Sequence, residues 1–171
     1  DLLLGVAQHC DGVRCDMAML LLNEVFARTW AHTPAREPAP AAEFWETAIG
    51  RVKSERPGFL FLAEVYWDLE ARLRELGFDY TYDKTLYDRL MQGDAAGVLS
   101  HVRGLAGCGD GSGLTRAAHF LENHDEPRVA ARLSFPEHRA ALWTILSLPG
   151  MRFLHEGQLE GARTRLPVQF L

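Results

Sequence analysis

Three short apolar segments of this sequence each lead into a carboxylate, and the three carboxylates are Asp16, Glu64 and Asp125. Each segment has the composition of a barrel strand, and helical periodicity lies between them, so the carboxylates are expected at comparable strand ends. One ionised and one protonated carboxyl group together can cleave a glycosidic bond by nucleophilic attack and proton donation. The pattern therefore predicts this kind of chemistry at the strand ends.

Asp16 is preceded by an arginine on the same predicted strand. Side chains two positions apart in a strand face the same way, so Arg14 and Asp16 should point together into the mouth of the barrel. Val13 and Cys15 should pack outward against helices. A guanidinium favours the charged form of a neighbouring carboxylate and can orient it, as a nucleophile requires. An ordinary buried ion pair is the alternative interpretation.

Glu64 lies between the strongly apolar run 59–63 and the residues Val65, Tyr66 and Trp67. Such surroundings exclude water from a carboxyl group and favour its protonated form. A protonated glutamate can donate to a leaving oxygen, so a general acid is one interpretation. A glutamate at a strand end that faces solvent is the other.

Asn123, His124 and Asp125 place an amide, an imidazole and a carboxylate directly after an apolar strand. The chain is leaving the strand here, so these side chains can reach a common site. Capping of a helix by Asp125, with Pro127 in its first turn, is an alternative. Metal binding by His119, His124 and Asp125 is another, although no HExxH motif or matching remote ligand is present. A Ser-His-Asp hydrolase is disfavoured because the GxSxG motif is missing.

Strands and helices alternate along the chain. Apolar runs predict strands near residues 12–16, 59–65, 78–82, 116–121 and 151–154. Periodicity and capping signals predict helices at 2–10, 17–30, 43–56, 84–92, 94–105 and 140–148, one between an Asp68 N-cap and Gly77, and helix starts at Pro127 and Pro136. The Pro/Ala-rich segment 34–42 and the glycine-rich segment 107–113 are predicted as loops.

This alternation specifies parallel strands with helical crossovers, which is an α/β fold. A complete (β/α)8 barrel requires about 250 residues, whereas this chain has 171. We therefore expect a partial (β/α)8 TIM barrel, about strands four to eight with their helices, and expect residues 1–171 to be the C-terminal portion of one catalytic barrel. An open parallel sheet leaves unpaired edge strands. Such a portion alone is therefore a liability in solution, because these edges can pair with other chains.

The charge and the cysteines of the chain argue against several classes of binding partner and of site. The formal net charge is −5 without a basic block, which argues against nucleic acid and anionic membranes and suits a neutral substrate. The cysteines Cys10, Cys15 and Cys108 form no CxxC pair, which disfavours a disulfide framework or a zinc cluster. The first residues have neither the basic segment nor the apolar length of a signal peptide, so a cytoplasmic protein is expected. Without an initiator methionine, a piece of a longer chain is expected.

Four segments together resemble the conserved regions of the alpha-amylase family, glycoside hydrolase family 13, from the fourth barrel strand to the eighth. They are Gly12-Val13-Arg14-Cys15-Asp16, Leu62-Ala63-Glu64-Val65-Tyr66, Asn123-His124-Asp125 and 149–158. The resemblance implies that Asp16 is the nucleophile, Glu64 the general acid and base, and Asp125 the stabiliser of the transition state. It also implies that Arg14 holds Asp16, that His124 and Asn123 bind substrate, and that the bond cleaved is α-glucosidic.

The sequence departs from the family pattern at several points. The first conserved region, with its substrate-binding Asp and Asn-His, is not in this chain, and Met19 and Leu20 stand where many amylases have Lys-His. A retaining hydrolase or transglycosylase acting on an α-glucan or a small α-glucoside is the leading hypothesis. A non-catalytic carbohydrate-binding or structural relic is the alternative. No cofactor is expected, and calcium and oligomeric state stay open.

Overall fold

The structure is a computed structural model that describes residues 1–33, 40–107 and 112–167. The chain divides into two compact units, Asp1–Tyr82 and Asp83–Leu171. Each unit contains parallel strands joined by helices. The expected α/β fold class is therefore confirmed. Among the described residues, no helix is both long and apolar enough to cross a membrane.

The first unit has three parallel strands and four α-helices among its described residues. In chain order these are α1 Leu2–Val6, β1 Gly12–Cys15, α2 Asn23–Thr29, α3 Phe44–Glu55, β2 Leu60–Ala63, α4 Glu70–Glu75 and β3 Tyr80–Tyr82. β1 pairs with β2, and β2 pairs with β3. The register aligns Gly12 with Leu60 and Cys15 with Ala63, so the residues that follow β1 and β2 leave the sheet at the same edge.

Gly12 lets β1 approach β2 closely. A Cβ atom at this position would lie 2.7 Å from the carbonyl oxygen of Leu60 and 2.9 Å from its Cβ. These distances are shorter than a carbon atom can accept without a shift of the strand. The glycine is therefore needed for the strand pairing that sets the register.

The core of the first unit packs α3 against the sheet. Trp45, Ile49 and Val52 recur at helical spacing and are buried, as their periodicity predicts. The Trp45 ring meets Phe78 edge to face, and its indole nitrogen donates a 2.7 Å hydrogen bond to the carbonyl of Ala18. This bond ties α3 to the turn that follows β1.

The second unit contains two parallel strands and five α-helices among its described residues: α5 Lys84–Gln92, α6 Ala95–Ala106, α7 Ser112–Thr115, β4 Ala117–His119, α8 Val129–Arg132, α9 Phe135–Ser147 and β5 Met151–Arg152. β4 pairs with β5. Asp83 and Asp94 cap α5 and α6 through hydrogen bonds to backbone N–H groups. Ser134 and Glu137 form a capping box at the start of α9, with Pro136 in its first turn as predicted.

Local predictions fail where the backbone leaves regular geometry. The helix predicted over 17–30 is interrupted, because Met17 adopts φ +42° and Leu22 is extended; a 3-10 turn, Ala18–Leu21, precedes α2. Asp68 does not cap α4, because it adopts φ +59° and Leu69 holds the N-cap position. Gly77 does follow α4, at φ +109°.

The helix predicted to start at Pro127 begins only at Val129, with Arg128 as its N-cap, so the capping role considered for Asp125 is wrong. Most of the two predicted loops, residues 34–39 and 108–111, lies outside the described residues. Within the glycine-rich segment, α7 already begins at Ser112.

Candidate active site

The parallel register carries Asp16 and Glu64 to the same edge of the first unit's sheet. Cys15 and Ala63 are register partners, and each carboxylate residue directly follows one of them. The backbone bonds continue past the strands: Glu64 N–H donates to the carbonyl of Cys15 at 3.0 Å, and Ala18 N–H donates to the carbonyl of Glu64 at 2.9 Å. The sheet itself therefore fixes the backbone on which the carboxylates sit.

Arg14 contacts both carboxylates. Its Nη1 lies 2.5 Å from Asp16 Oδ1, and its Nη2 lies 2.9 Å from Glu64 Oε2 in an ion pair that lacks good hydrogen-bond alignment. Its Nε donates to the hydroxyl of Tyr82 at 3.1 Å. The prediction that Arg14 and Asp16 point together is confirmed, and the same guanidinium also reaches Glu64.

The environment keeps Arg14 charged. Burial by itself would lower the pKa of Arg14, but its interactions with Tyr82, Asp16 and Glu64 raise it above the ordinary value. A permanent cation between two carboxylates lets both approach each other with less mutual repulsion. Arg14 thus provides the electrostatic basis for a paired carboxylate site.

Glu64 and Asp16 differ sharply in exposure. The side chain of Glu64 is 3% exposed, whereas that of Asp16 is 73% exposed. Glu64 Oε2 also accepts a 2.8 Å hydrogen bond from the N–H of Met17, and Oε1 accepts one of 2.8 Å from the hydroxyl of Tyr66. The interpretation of Glu64 as a strand-end residue that faces solvent is therefore wrong.

Met17 adopts a left-handed backbone conformation beside Glu64. A residue other than glycine at φ +42° is uncommon and costs conformational energy, and it persists only where the surroundings hold it. Here the left-handed turn directs the Met17 N–H at Glu64 Oε2. The turn thereby links the segment that carries Asp16 to the carboxylate of Glu64.

Cys15, next to Asp16, is chemically quiet. Its side chain is buried, and this burial raises the pKa of its thiol to about 11, although Arg14 acts in the opposite direction. A thiol with so high a pKa supplies little thiolate at neutral pH. Cys15 therefore serves packing, as its outward-facing strand position predicts.

The second unit holds the third predicted group, Asn123, His124 and Asp125. Asn123 is buried, and its Oδ1 accepts hydrogen bonds from the N–H groups of Asp125 and Glu126 at 2.9 and 2.8 Å. This turn presents His124 and Asp125 to solvent, with His124 Nε2 3.1 Å from Asp125 Oδ2. Substrate binding by Asn123 and His124, and the approach of Asp125 to Asp16 and Glu64, stay predictions.

Glu122 stabilises the turn that begins at Asn123. It is fully buried, and its two oxygens accept from Arg128 Nη1 at 2.8 Å and from the N–H of Val129 at 2.6 Å. Arg128 Nη1 also donates to the carbonyl of Glu156, and Nε donates to that of Thr164. The ion pair therefore ties the start of the Asn123 turn to α8 and to the segment after β5.

The metal site considered for His119 is not supported. His119 Nδ1 lies 3.0 Å from Asp83 Oδ2, and Nε2 lies 2.9 Å from the carbonyl oxygen of Pro149. Within residues 1–33, 40–107 and 112–167, no three His, Cys, Asp or Glu side chains are grouped as a metal ion requires. The ring of His119 is part of the core of the second unit.

Similar folds occur among solved structures. An alpha-amylase from Lactobacillus plantarum matches at a TM-score of 0.70 and 25% sequence identity, over 95% of this chain and 38% of that enzyme. The chain shares its fold with part of this enzyme. A debranching enzyme from Nostoc punctiforme, soaked with acarbose, matches at a TM-score of 0.72 and 16% identity, over 94% of this chain and 36% of its own.

A third similar structure is a cyclic alpha-maltosyl-(1→6)-maltose hydrolase from Arthrobacter globiformis in complex with maltose. Its TM-score is 0.65 at 20% identity, over 90% of this chain and 33% of that enzyme. No protein-family model and no curated protein sequence matches the chain. The likeness is therefore one of fold, and the chain spans about a third of the length of the structures it matches.

Sequence reasoning missed several groups that contact the predicted residues. Tyr66, Tyr82 and the N–H of Met17 contact Arg14 or Glu64, and the ion pair of Glu122 with Arg128 supports the turn that begins at Asn123. Tyr66 could have been found, because a side chain two positions after Glu64 would share its face if the strand pattern continued. Tyr82 and Met17 had no such signal, since their contacts depend on strand register and on a left-handed turn.

Proposed function

We propose that this chain belongs to a retaining glycoside hydrolase or transglycosylase that acts on α-glucans or small α-glucosides. The observation that carries the proposal is the contact of Arg14 with both Asp16 and Glu64 at matched ends of parallel strands. The fold shared with part of enzymes that cleave α-glucosidic sugars supports it. The maltose bound by the Arthrobacter globiformis hydrolase supports an α-glucan as the substrate class.

The first half of the reaction forms a glycosyl-enzyme. An oxygen of Asp16 attacks the anomeric carbon, and the electron pair of the breaking glycosidic bond moves onto the leaving oxygen. Glu64 donates its proton to that oxygen, which departs as an alcohol. Asp16 suits the nucleophile because it is exposed and held by Arg14, while buried Glu64 suits the acid because water is excluded from it.

The second half releases the sugar. Glu64, now ionised, accepts a proton from water or from a sugar hydroxyl, whose oxygen attacks the anomeric carbon and displaces Asp16. Two inversions give net retention. Asp125 is assigned to stabilise the positive charge that develops on the sugar ring, and His124 and Asn123 are assigned to its hydroxyl groups.

We further propose that residues 1–171 form the C-terminal portion of one catalytic barrel of the alpha-amylase type. The strand-helix order and the coverage of 38% of the Lactobacillus plantarum enzyme support this assignment. The remaining strands of such a barrel would close the sheet edge and complete the sugar site. Activity is therefore assigned to the complete polypeptide that includes this chain.

Proton NMR of the sugar released from a maltooligosaccharide by the complete polypeptide tests the proposal. The α-anomer should appear first and mutarotate later, and Asp16→Asn should abolish turnover. Asp11→Asn makes the same exchange at an exposed residue at the other end of β1, so it should keep full activity. Initial release of the β-anomer, or an active Asp16→Asn variant, would contradict a retaining mechanism through Asp16. A folded wild type without turnover would favour the carbohydrate-binding relic.

A further inference from the structure

The two oxygens of Glu64 have different hydrogen-bond partners. Oε2 faces the N–H of Met17 at 2.8 Å and the guanidinium of Arg14 at 2.9 Å. Both partners can only donate, so a proton on Oε2 would point at other protons. Oε1 instead faces the hydroxyl of Tyr66 at 2.8 Å. The proton of neutral Glu64 therefore belongs on Oε1.

A tyrosine hydroxyl suits a carboxyl group that alternates between two protonation states. It donates when Glu64 is ionised, and it can turn and accept when Oε1 carries the proton. Tyr66 lies two residues beyond Glu64, and its ring packs against the core of the first unit. The packed ring thus holds the hydroxyl next to Oε1.

We propose that Tyr66 is a positioning residue that selects Oε1 as the oxygen from which Glu64 delivers its proton. The inference rests on the acid and base role proposed above for Glu64. Tyr66 is assigned no contact with the sugar, and it acts through the Glu64 carboxyl group. It fixes the orientation of the Glu64 carboxyl group. Loss of the Tyr66 hydroxyl should therefore slow cleavage most for substrates whose leaving group needs a proton.

The leaving group separates this role from a structural one. Cleavage of a maltooligosaccharide requires a proton on the leaving oxygen, whereas fluoride leaves α-maltosyl fluoride with little help from an acid. In the complete polypeptide, Tyr66→Phe should lower kcat/KM for the maltooligosaccharide about tenfold, the scale of one hydrogen bond to a charged group. The value for α-maltosyl fluoride should fall by less than about threefold. The matched control Tyr80→Phe, on β3, should leave both values unchanged.

A double-variant cycle gives a second measurement. Once Glu64→Gln has removed the acid, adding Tyr66→Phe should cause no further loss of maltooligosaccharide cleavage. Equal losses on the two substrates, or additive losses in the cycle, would overturn the proposal and leave Tyr66 a structural residue. A wild type that cleaves neither substrate would contradict the proposed function and, with it, the role of Tyr66. Cleavage of both by wild type with an unaffected Tyr66→Phe variant would overturn the role of Tyr66 alone.

Discussion

Arg14 Nη2 lies 2.9 Å from Glu64 Oε2, across the parallel pair β1 and β2. The sequence alone suggested that this guanidinium serves Asp16, its neighbour on the same strand. The structure shows that it bridges an exposed and a buried carboxylate. An ordinary ion pair requires one carboxylate, so the second contact favours a site in which two carboxyl groups act together.

The first prediction concerns the geometry of this bridge. Arg14→Lys keeps the charge, but one ammonium group cannot replace a planar fork that reaches Asp16, Glu64 and the Tyr82 hydroxyl. We expect kcat/KM of the complete polypeptide to fall about 100-fold, because misplacement of reacting groups by about 1 Å has that scale of effect. Arg51→Lys, at an exposed position of α3, is the control and should be neutral. An Arg14→Lys variant of wild-type activity would contradict a functional role for this bridge.

The second prediction concerns the approach of β1 to β2. Gly12→Ala places a carbon 2.7 Å from the Leu60 carbonyl oxygen, so the strands must separate. We expect a loss of about 2 kcal/mol in the free energy of unfolding, measured by denaturant titration. Gly50→Ala is the matched control: its Cβ meets nothing within 4 Å in α3, and it should stabilise by up to about 1 kcal/mol. Equal stability of the two variants would contradict the tight pairing.

The third prediction is a pH dependence of stability from Asp83. Burial by itself would raise the pKa of Asp83, but hydrogen bonds and charge from His101 and His119 lower it to about 2 from an ordinary 3.8. Because the unfolded chain binds the proton more tightly, the stabilisation of about 2 kcal/mol is present above pH 4 or so. It should disappear as the pH falls from about 4 towards 2.

Asp83→Asn provides the measurement. The difference in Tm between wild type and this variant should be large at pH 6 to 7 and should narrow below about pH 4. Asp88→Asn, at a half-exposed position of α5, is the control and should show a small and nearly constant difference. A difference for Asp83→Asn that grows on acidification would reverse the predicted sign.

The fourth prediction concerns Cys10, which precedes β1, and Cys15, the last residue of β1. Cys10 is exposed, whereas burial protects Cys15 and raises the pKa of its thiol to about 11. Brief treatment of the native protein with iodoacetamide at pH 8, followed by peptide mapping, should label Cys10 and leave Cys15 unmodified until denaturant is added. Labelling of both at similar rates would show that the end of β1 opens readily.

The sequence predicted much of the fold because its signals are local. The helical spacing of Trp45, Ile49 and Val52 predicted α3, and Pro136 predicted the first turn of α9. The turn after Asp16 could not be predicted in the same way. Nothing in the side chain of Met17 favours φ +42°, and that angle follows from long-range contacts of the turn.

The sequence predicted the carboxylates of the candidate site, but it did not predict the groups that contact them. Asp16 and Glu64 stand out because polar residues end apolar strands, which is a local pattern. Tyr82 reaches Arg14 from a strand that lies 68 residues further along the chain, so only the register of the sheet reveals it. The exposure difference between Asp16 and Glu64 likewise depends on packing around each strand end rather than on sequence spacing.

The proposed mechanism requires that Asp16 become covalently bound to sugar during turnover. The direct measurement is intact mass and peptide mapping of the complete polypeptide after incubation with a fluorinated α-glucosyl or α-maltosyl inactivator, with Asp16→Asn treated in parallel. The wild type should gain one glycosyl group on Asp16, and the variant should gain none. A label on another carboxylate, or inactivation of a folded and active enzyme without any label, would contradict this mechanism.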